Sequence, residues 1–498
     1  RRRIDIVLPV EAGPRSLVRS VTFSGAALFG PDELRRVLRL TEGRPFATDV
    51  LLEDKAALLN LYHGRGYGSV QVEAAARPAA GGDDVDLVYG IREGPRHVVA
   101  GFEVLGRGRT GESFILKTTG LKAGDTFSLD RLALAQKRLY DSGAFAGVSV
   151  SSRPAGGASP GGETAQTVVI EVRETPPLVA TYGVRYNSAE KLEGFGEVGV
   201  RNLFGAGRGG LVSYRQNARQ RDVRLSLQSP SLFGLKLNLL SSFYATRDAR
   251  EYFTTDEVGW TIQSSLRLPF QSTLSLLYRM DKIHTYEPEP FGPFPFDISL
   301  FLSEIGAVLV HDTRDDRLDP RRGTLFSLAL MYSPEALGTE LPFVSVFGQA
   351  AHTVSFGPGL VWASGLRVGL ADAYDQVLIP SRRFFAGGSN SIRGFKQDAL
   401  GPIDPYLGAA EGGEAVVIFN QELRFPLLGP VSGAVFYDAG NVFATAREIR
   451  ISDFRHSLGL GLRFTSPIGL FRADYGFNLA RRRDEPRGAF YLSVGQAF

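Results

Sequence analysis

The chain has 498 residues, 56 Lys and Arg against 53 Asp and Glu (formal charge +3), 43% hydrophobic residues and no cysteine. So small a basic excess excludes an electrostatic nucleic-acid binder, and the missing thiols exclude disulfides, thiolate metal sites and cysteine nucleophiles. No apolar run approaches the ~18–20 residues of a membrane helix, which excludes a helical bundle in a bilayer but not a barrel, whose strands are only half apolar.

The opening RRRIDIVLPV carries no apolar signal core behind its arginines. DIVLPVEAGPR at 5–15 reappears as DLVYGIREGPR at 86–96, and Asp86–Arg96 in turn aligns with TVVIEVRETPP at 167–177. Both repeats have the same offset, 81 residues, which also carries Gly43 and Phe46 onto Gly124 and Phe127. Each unit holds a short strand (VRSVTFSG, VAGFEVLG), a helix-like stretch, a second helix (LLEDKAALLNLY, LDRLALAQKRLY) and a strand pair. Apolar spacing near 3.6 marks the helices, with Asp49 and Asp130 as expected caps of the second one. The pattern predicts β-α-α-β-β units over 16–97 and 98–177, each large enough to fold alone. Residues 1–15 then read as the last strand of a truncated copy, and the chain as a fragment.

These units resemble the POTRA domain. V-x-x-V-x-F-x-G is followed by G-x-x-F and by LYHGRGY (61–67) or LYDSGAF (139–145).

After Pro176–Pro177 the period changes to two. In FRADYGFNL (471–479), Phe471, Ala473, Tyr475, Phe477 and Leu479 oppose Arg472, Asp474, Gly476 and Asn478. SLGLGLRF (457–464) and VRLSLQ (223–228) alternate likewise. Alternation alone does not tell a soluble sandwich from a membrane barrel, which puts its apolar face outward. Length and number separate them. Strands are predicted at 178–187, 194–201, 208–217, 221–229, 235–246, 257–269, 272–283, 301–311, 323–333, 343–356, 360–371, 414–426, 431–438, 455–465, 469–479 and 488–498. Most reach the ~9–11 residues of a tilted membrane strand, and sandwich strands average nearer 5–6. The expected fold is α+β repeats followed, over 178–498, by an all-β transmembrane antiparallel barrel of about 16 strands. FYLSVGQAF ends the chain, and a terminal Phe498 on a last strand resembles the sorting signal of outer-membrane barrels.

Residues 372–413 have little strand pattern and fall between strands eleven and twelve, as a sixth outer loop. Loops that long are uncommon and usually functional or disordered. This one holds GGSNSIRGF (387–395). With FYDAGN (436–441) and DTRDDRLDPRRG (312–323), it resembles the G-G-x-x-S-V/I-R-G-F/Y, F-x-D-x-G and D-T-R-D…P-x-x-G motifs of the BamA/TamA family of outer-membrane assembly barrels. The motifs occur in the family's order over nearly the whole chain.

The resemblance implies that the loop folds back into the lumen. Its Gly387, Gly388, Ile392, Arg393, Gly394 and Phe395 would form a latch, with Arg393 on Asp438. Parity puts Asp438 and Phe436 on one face and Tyr437 on the other, and lets Glu422 face the lumen as a second partner. A guanidinium fork binds a carboxylate bidentately, and glycines permit close backbone approach.

The resemblance further implies insertion or translocation of proteins at the outer membrane, without nucleotide, cofactor or metal. Repeats in the periplasm would receive unfolded outer-membrane or secreted substrates. The barrel would open at a lateral seam between Tyr182, Gly183 and Val184 of its first strand and Leu492, Val494, Gly495 and Phe498 of its last. Expected partners are these substrates, outer-membrane lipid, and accessory periplasmic or inner-membrane proteins on the POTRA domains; nucleic acid is not among them. A two-partner secretion translocator and a passive pore or lipid conduit are the alternatives. The leftover strand at 1–15 opposes the first, and a plugged lumen opposes the second.

Other motifs lead nowhere. GRGRTGES (106–113) has Glu112 where a phosphate loop needs lysine, GASPG (157–161) lacks the strand-turn-helix of a nucleophile elbow, and the six histidines are scattered.

Overall fold

The computed structural model describes residues 15–79, 83–158, 163–187, 191–229, 238–250, 253–287, 297–357, 359–405, 408–467, 469–483, 485–494 and 496. The strand expected over 1–15 therefore lies, apart from Arg15, outside the described residues. The chain divides into two units, 1–176 with 204–207, and 177–203 with 208–498.

The first unit contains the repeat twice. Its elements are β1 (Val18–Ser24), α1 (Pro31–Arg36), α2 (Thr48–Gly64), β2 (Gln71–Pro78) and β3 (Val85–Arg92), then β4 (His97–Leu105), α3 (Glu112–Thr119), α4 (Leu129–Asp141), β5 (Phe145–Ala158) and β6 (Thr164–Glu174). The sheets run β1-β3-β2 and β4-β6-β5. In each, the last strand in sequence lies in the centre, parallel to the first and antiparallel to its hairpin partner. The helices and sheet bury an apolar core in each repeat, around Leu58 and Leu87 in one and Leu139 and Ile170 in the other.

Asp49 and Asp130 do not cap. The N-cap positions are Ala47 and Ser128, without a side-chain cap hydrogen bond, and both aspartates sit in the first turn. There they still oppose the positive end of the helix dipole.

A glutamate that sequence reasoning passed over ties each repeat together. Glu93 accepts the backbone N–H groups of Ala27 and Leu28 and the Tyr62 hydroxyl. Glu174, 81 residues on, accepts those of Gly108, Arg109 and Thr110 and the Thr110 hydroxyl. Burial alone would raise the Glu174 carboxyl; the donors on Thr110, Arg109 and Gly108 bring it down to about 2.

The second unit is one sheet of sixteen antiparallel strands in sequence order. They are β7 (Leu178–Asn187), β8 (Lys191–Leu203), β9 (Arg208–Gln216), β10 (Gln220–Ser229), β11 (Asn238–Ala249), β12 (Thr254–Leu268), β13 (Ser272–Tyr286), β14 (Asp297–Asp312), β15 (Gly323–Ser333), β16 (Phe343–Phe356), β17 (Leu360–Asp372), β18 (Ala415–Leu428), β19 (Val431–Phe443), β20 (Arg455–Ser466), β21 (Gly469–Asn478) and β22 (Gly488–Val494). Every predicted strand is present, with ends displaced by a few residues. The largest displacement is at β19, which runs to Phe443 rather than 438; the expected strand ends at 235–237 and 495–498 fall, apart from Gln496, outside the described residues. From Ala439 to Phe443 both faces of β19 are buried, so the alternation used to bound it disappears.

Accessibility resolves the ambiguity left by alternation. On β20, Leu458, Leu460, Leu462 and Phe464 are exposed, and Ser457, Gly459, Gly461 and Arg463 between them are buried. β21 repeats this with Phe471, Tyr475 and Phe477 outside and Arg472, Asp474 and Asn478 inside. Apolar outside and polar inside is the pattern of a barrel solvated by lipid. No helix among the described residues is long and apolar enough to cross a membrane.

Candidate functional site in the barrel lumen

The inner wall of the last five strands carries cross-strand rows. Register places Glu422, Phe436, Gly459 and Gly476 side by side on β18 to β21, and Asn420, Asp438 and Ser457 in the row beside them. A further row holds Gly461, Asp474 and Tyr491 on β20 to β22. The glycines clear floor space. A Cβ on Gly459 would lie 2.1 Å from the Phe436 ring, and one on Gly476 would lie 2.6 Å from the Gly394 nitrogen.

Loop 373–414 occupies that floor. Isolated bridges Phe384–Gly413, Ala386–Leu400 and Ile403–Ala410 fold it back on itself. Ile392 and Phe395 pack with Ala386, Leu400, Val416, Ile418 and Val442. Gly387 (φ 110°) and Gly388 (φ 103°) take backbone angles that L side chains avoid, and a Cβ on Gly387 would lie 2.3 Å from the Lys396 carbonyl. Gly394 (φ 97°) lies against Ser457 and Gly476.

Arg393 is 1% exposed. Its Nε donates to Asp438 Oδ2 at 2.8 Å and its Nη2 to Oδ1 at 2.9 Å; its backbone N–H adds a third bond to the same carboxylate at 3.0 Å. Nη1 donates to Glu422 Oε2 at 2.6 Å and to Asp474 Oδ2 at 3.3 Å. The guanidinium carbon stands 3.4 Å from the centre of the Phe436 ring, a cation–π contact away from water. Of the expected latch residues, Arg393 meets Asp438, Glu422 and Phe436 directly, Ile392 and Phe395 sit in the apolar cluster, and Gly387 and Gly388 lie against the loop's own Lys396 and Gln397.

The cluster is larger than sequence reasoning had it. Arg463 spans both oxygens of Glu422 at 3.1 Å and also pairs with Asp474. Arg424 donates to Glu422 at 2.9 Å and to the Pro320 carbonyl at 3.1 Å, which brings the DTRDDRLDPRRG turn to the same network. Asn420 bonds Asp438 and the Ser391 carbonyl. The missed residues carried a signal, since Arg463, Arg472 and Asp474 all lie at inward parity. Nothing in parity said that three carboxylates and four arginines would converge.

At the other expected site, no ladder joins β7 to β22 among the described residues. Tyr182 and Val184 on β7 and Leu492 and Val494 on β22 are exposed on the outer face. Val184, Leu492 and Val494 line a cavity of about 800 Å³ with Phe195, Phe464 and Phe471. Gly183 is covered by Phe195, its cross-strand partner. Gly495 and Phe498 lie outside the described residues.

An antiparallel sixteen-strand sheet with a lumen-folded loop and paired α+β repeats defines a class of outer-membrane barrel proteins. The Omp85 superfamily domain model matches residues 202–498, and the POTRA model, described as a surface antigen variable number repeat, matches 16–94. The chain belongs to the Omp85 superfamily. It is 26% identical to an outer membrane protein assembly factor BamA of Nitratidesulfovibrio vulgaris over 99% of this chain and 64% of that protein. It is also 26% identical to a SAM50-like protein of Schizosaccharomyces pombe, over 66% of this chain and 74% of that one. The chain therefore spans a little under two thirds of the BamA relative. Its fold is similar to that of a BamA of Haemophilus ducreyi lacking POTRA domains 1–3, with a TM-score of 0.79 at 17% identity over 97% of this chain and 99% of the other. The barrel resides in the outer membrane, with the POTRA repeats in the periplasm.

Proposed function

We propose that this protein inserts or translocates other proteins at the outer membrane by lateral opening between β7 and β22, without nucleotide. The repeats receive unfolded substrate, whose extended backbone pairs with a sheet edge such as β2 or β5. At the seam, unpaired backbone groups in lipid are costly, and a substrate strand relieves that cost by pairing. Its folding supplies the free energy. One observation carries the reading: β7 and β22 stand at the two ends of the sixteen-strand sheet, with no ladder between them among the described residues. The ion-pair cluster inside the barrel favours this over a passive pore. As the latch, Arg393 on Asp438 and Glu422 keeps the loop seated while the seam works.

The test uses the absence of native cysteine. Val184→Cys and Leu492→Cys face one cavity, whereas a side chain at Gly183 would strike the Phe195 ring. A short bis-maleimide across the pair should block insertion of a model outer-membrane substrate into vesicles. Equal insertion by bridged and unbridged protein would rule out lateral opening.

A further inference from the structure

On the outside of the barrel, β10 to β14 carry their cations at one end only. β7 follows the periplasmic repeats in the chain, so the β9–β10, β11–β12 and β13–β14 turns lie at the outer surface. Toward the periplasm, the lipid-facing side of these strands has no lysine or arginine among the described residues, and Leu225, Leu227, Leu266 and Leu276 are exposed there. Toward the outer surface, Arg221, Arg247 and Lys282 are exposed on that same side.

Arg221 and Arg247 stand directly opposite each other on β10 and β11. Like charges so placed repel. Asp256, next in the row, takes up Arg247 alone, accepting from its Nε at 2.6 Å and its Nη2 at 2.7 Å. His284, beside Asp256, is engaged with Asp297 at 2.7 Å. Arg221 and Lys282 have no carboxylate within ion-pair distance among the described residues. The cross-strand neighbours of Lys282 are Val258 and Phe301, so its stem lies along apolar surface and its ammonium must reach out to the headgroup layer.

The depth of these cations follows from the strands. Arg221 stands eight residues above Ser229 on β10, and Lys282 ten above Ser272 on β13. Trp260 stands eight above Leu268 on β12, and Tyr332 nine above Gly323 on β15. With ~3.3 Å per residue and a tilt of ~40°, all four lie roughly 20–25 Å above the periplasmic strand ends, at the outer edge of the ~25 Å apolar band where aromatic girdles occur. Directly below the cations, Leu225 and Phe243 are exposed, and Phe243 stacks on Trp260.

We propose that Arg221, Arg247 and Lys282 hold a phosphorylated lipid of the outer leaflet, with its acyl chains on Leu225, Phe243 and Val258. Basic clusters at a membrane surface attract anionic headgroups in this way. The occupant is a lipid rather than free phosphate, because a soluble anion would leave the exposed apolar residues below the cations uncovered. β10 and β13 are three strand spacings apart, ~14 Å, a gap bridged by a headgroup with a phosphate at each end. The site does not involve the seam, and the proposed function stands or falls without it.

The test is lipid retention by the full chain in detergent, read by native mass spectrometry during titration with lipid A carrying two phosphates. The parent should retain one copy and should retain the same lipid stripped of its phosphates far less. Arg221→Gln and Lys282→Gln should each weaken retention about fivefold, the effect of one cation near an anionic surface, and together about twenty-five-fold. Arg221→Lys should keep most of the retention. Arg317→Gln, in an exposed periplasmic turn, should leave it as in the parent. Heat-modifiable migration checks that each variant is a folded barrel, as expected for side chains outside the lumen network. Equal retention of the phosphate-free lipid overturns the proposal, since acyl packing alone would then explain binding. Unchanged retention in the double variant also overturns it. So does an equal loss in Arg317→Gln, which would mean unspecific charge attraction, and so does displacement of the lipid by inorganic phosphate at equal concentration.

Discussion

In the first unit Leu58 and Leu87 are buried, and the ion pair of Arg39 with Glu53 lies at the surface. In the barrel Leu460 and Phe464 are exposed, and Arg393, Glu422, Asp438 and Asp474 are at most 1% exposed. The same residue types exchange sides because the solvent differs. Water takes the charges of the repeats, and lipid takes the leucines of the barrel, leaving charges to solve their desolvation among themselves. That inverts where the costly substitutions lie: apolar contacts in the repeats, ion pairs in the barrel.

The largest expected effect is at Arg393. Removing one partner of a buried pair costs roughly 3–5 kcal/mol, because the other charge stays buried and unpaired. Without Arg393, Asp438 keeps Asn420 as its one side-chain hydrogen-bond partner among the described residues. Without Asp438, Arg393 still has Glu422 and Asp474. Arg393→Ala should therefore expose the loop to protease more than Asp438→Ala does, and the double variant should barely exceed Arg393→Ala. Arg393→Lys should restore protection only partly, since a point charge does not reproduce the fork. Additive effects in this cycle would mean that the loop is held by its apolar cluster rather than by charge.

The second contrast is between two leucines. Leu87→Ala, in the core of the first repeat, should cost about 2–5 kcal/mol through lost contacts and a residual cavity. Leu460→Ala, on the lipid face, should cost roughly 1 kcal/mol or less, because acyl chains fill the space and leucine gains only a few tenths of a kcal/mol from the bilayer on insertion scales. Denaturant unfolding of each unit's signal in the full chain measures both. Comparable losses would show that the barrel's outer face is packed like a core.

The smallest effect is pH-dependent and belongs to the repeats alone. Glu174 is held at about 2 in the folded state, below the ~4.3 of a free glutamate. Its contribution is complete above the unfolded value and is lost as pH falls from about 4.3 toward 2. Glu174→Gln should remove about 1.5–3 kcal/mol at neutral pH, the range for hydrogen bonds to a charged group. It should also flatten the acid limb of the first unit's stability curve between those pH values. An unchanged acid limb would mean that the loop after β4 is held without the carboxylate.

Local pattern was enough for the elements. The 81-residue offset gave two β-α-α-β-β units, and period two gave all sixteen strands, because both signals repeat within a few residues of chain. Parity also put Asp438 and Phe436 on the inner face, and the three matched motifs brought Arg393 to them. Other features depended on residues far apart in sequence. The tie between Arg219 and Asp398 joins positions 179 residues apart, and that between Gly394 and Tyr491 joins positions 97 apart. Glu422 was expected as a second partner, yet its sharing among Arg393, Arg424 and Arg463 depends on which rows the barrel's register sets side by side. The unexpected N-caps at Ala47 and Ser128 follow from the turn that leads into each helix, which a search for a capping carboxylate does not see. By itself the sequence determined the period, sign and order of the elements, since these are properties of neighbouring side chains. Strand register and the curl of the sheet around the loop decided which charges meet, because they bring distant strands within one hydrogen bond of a single loop.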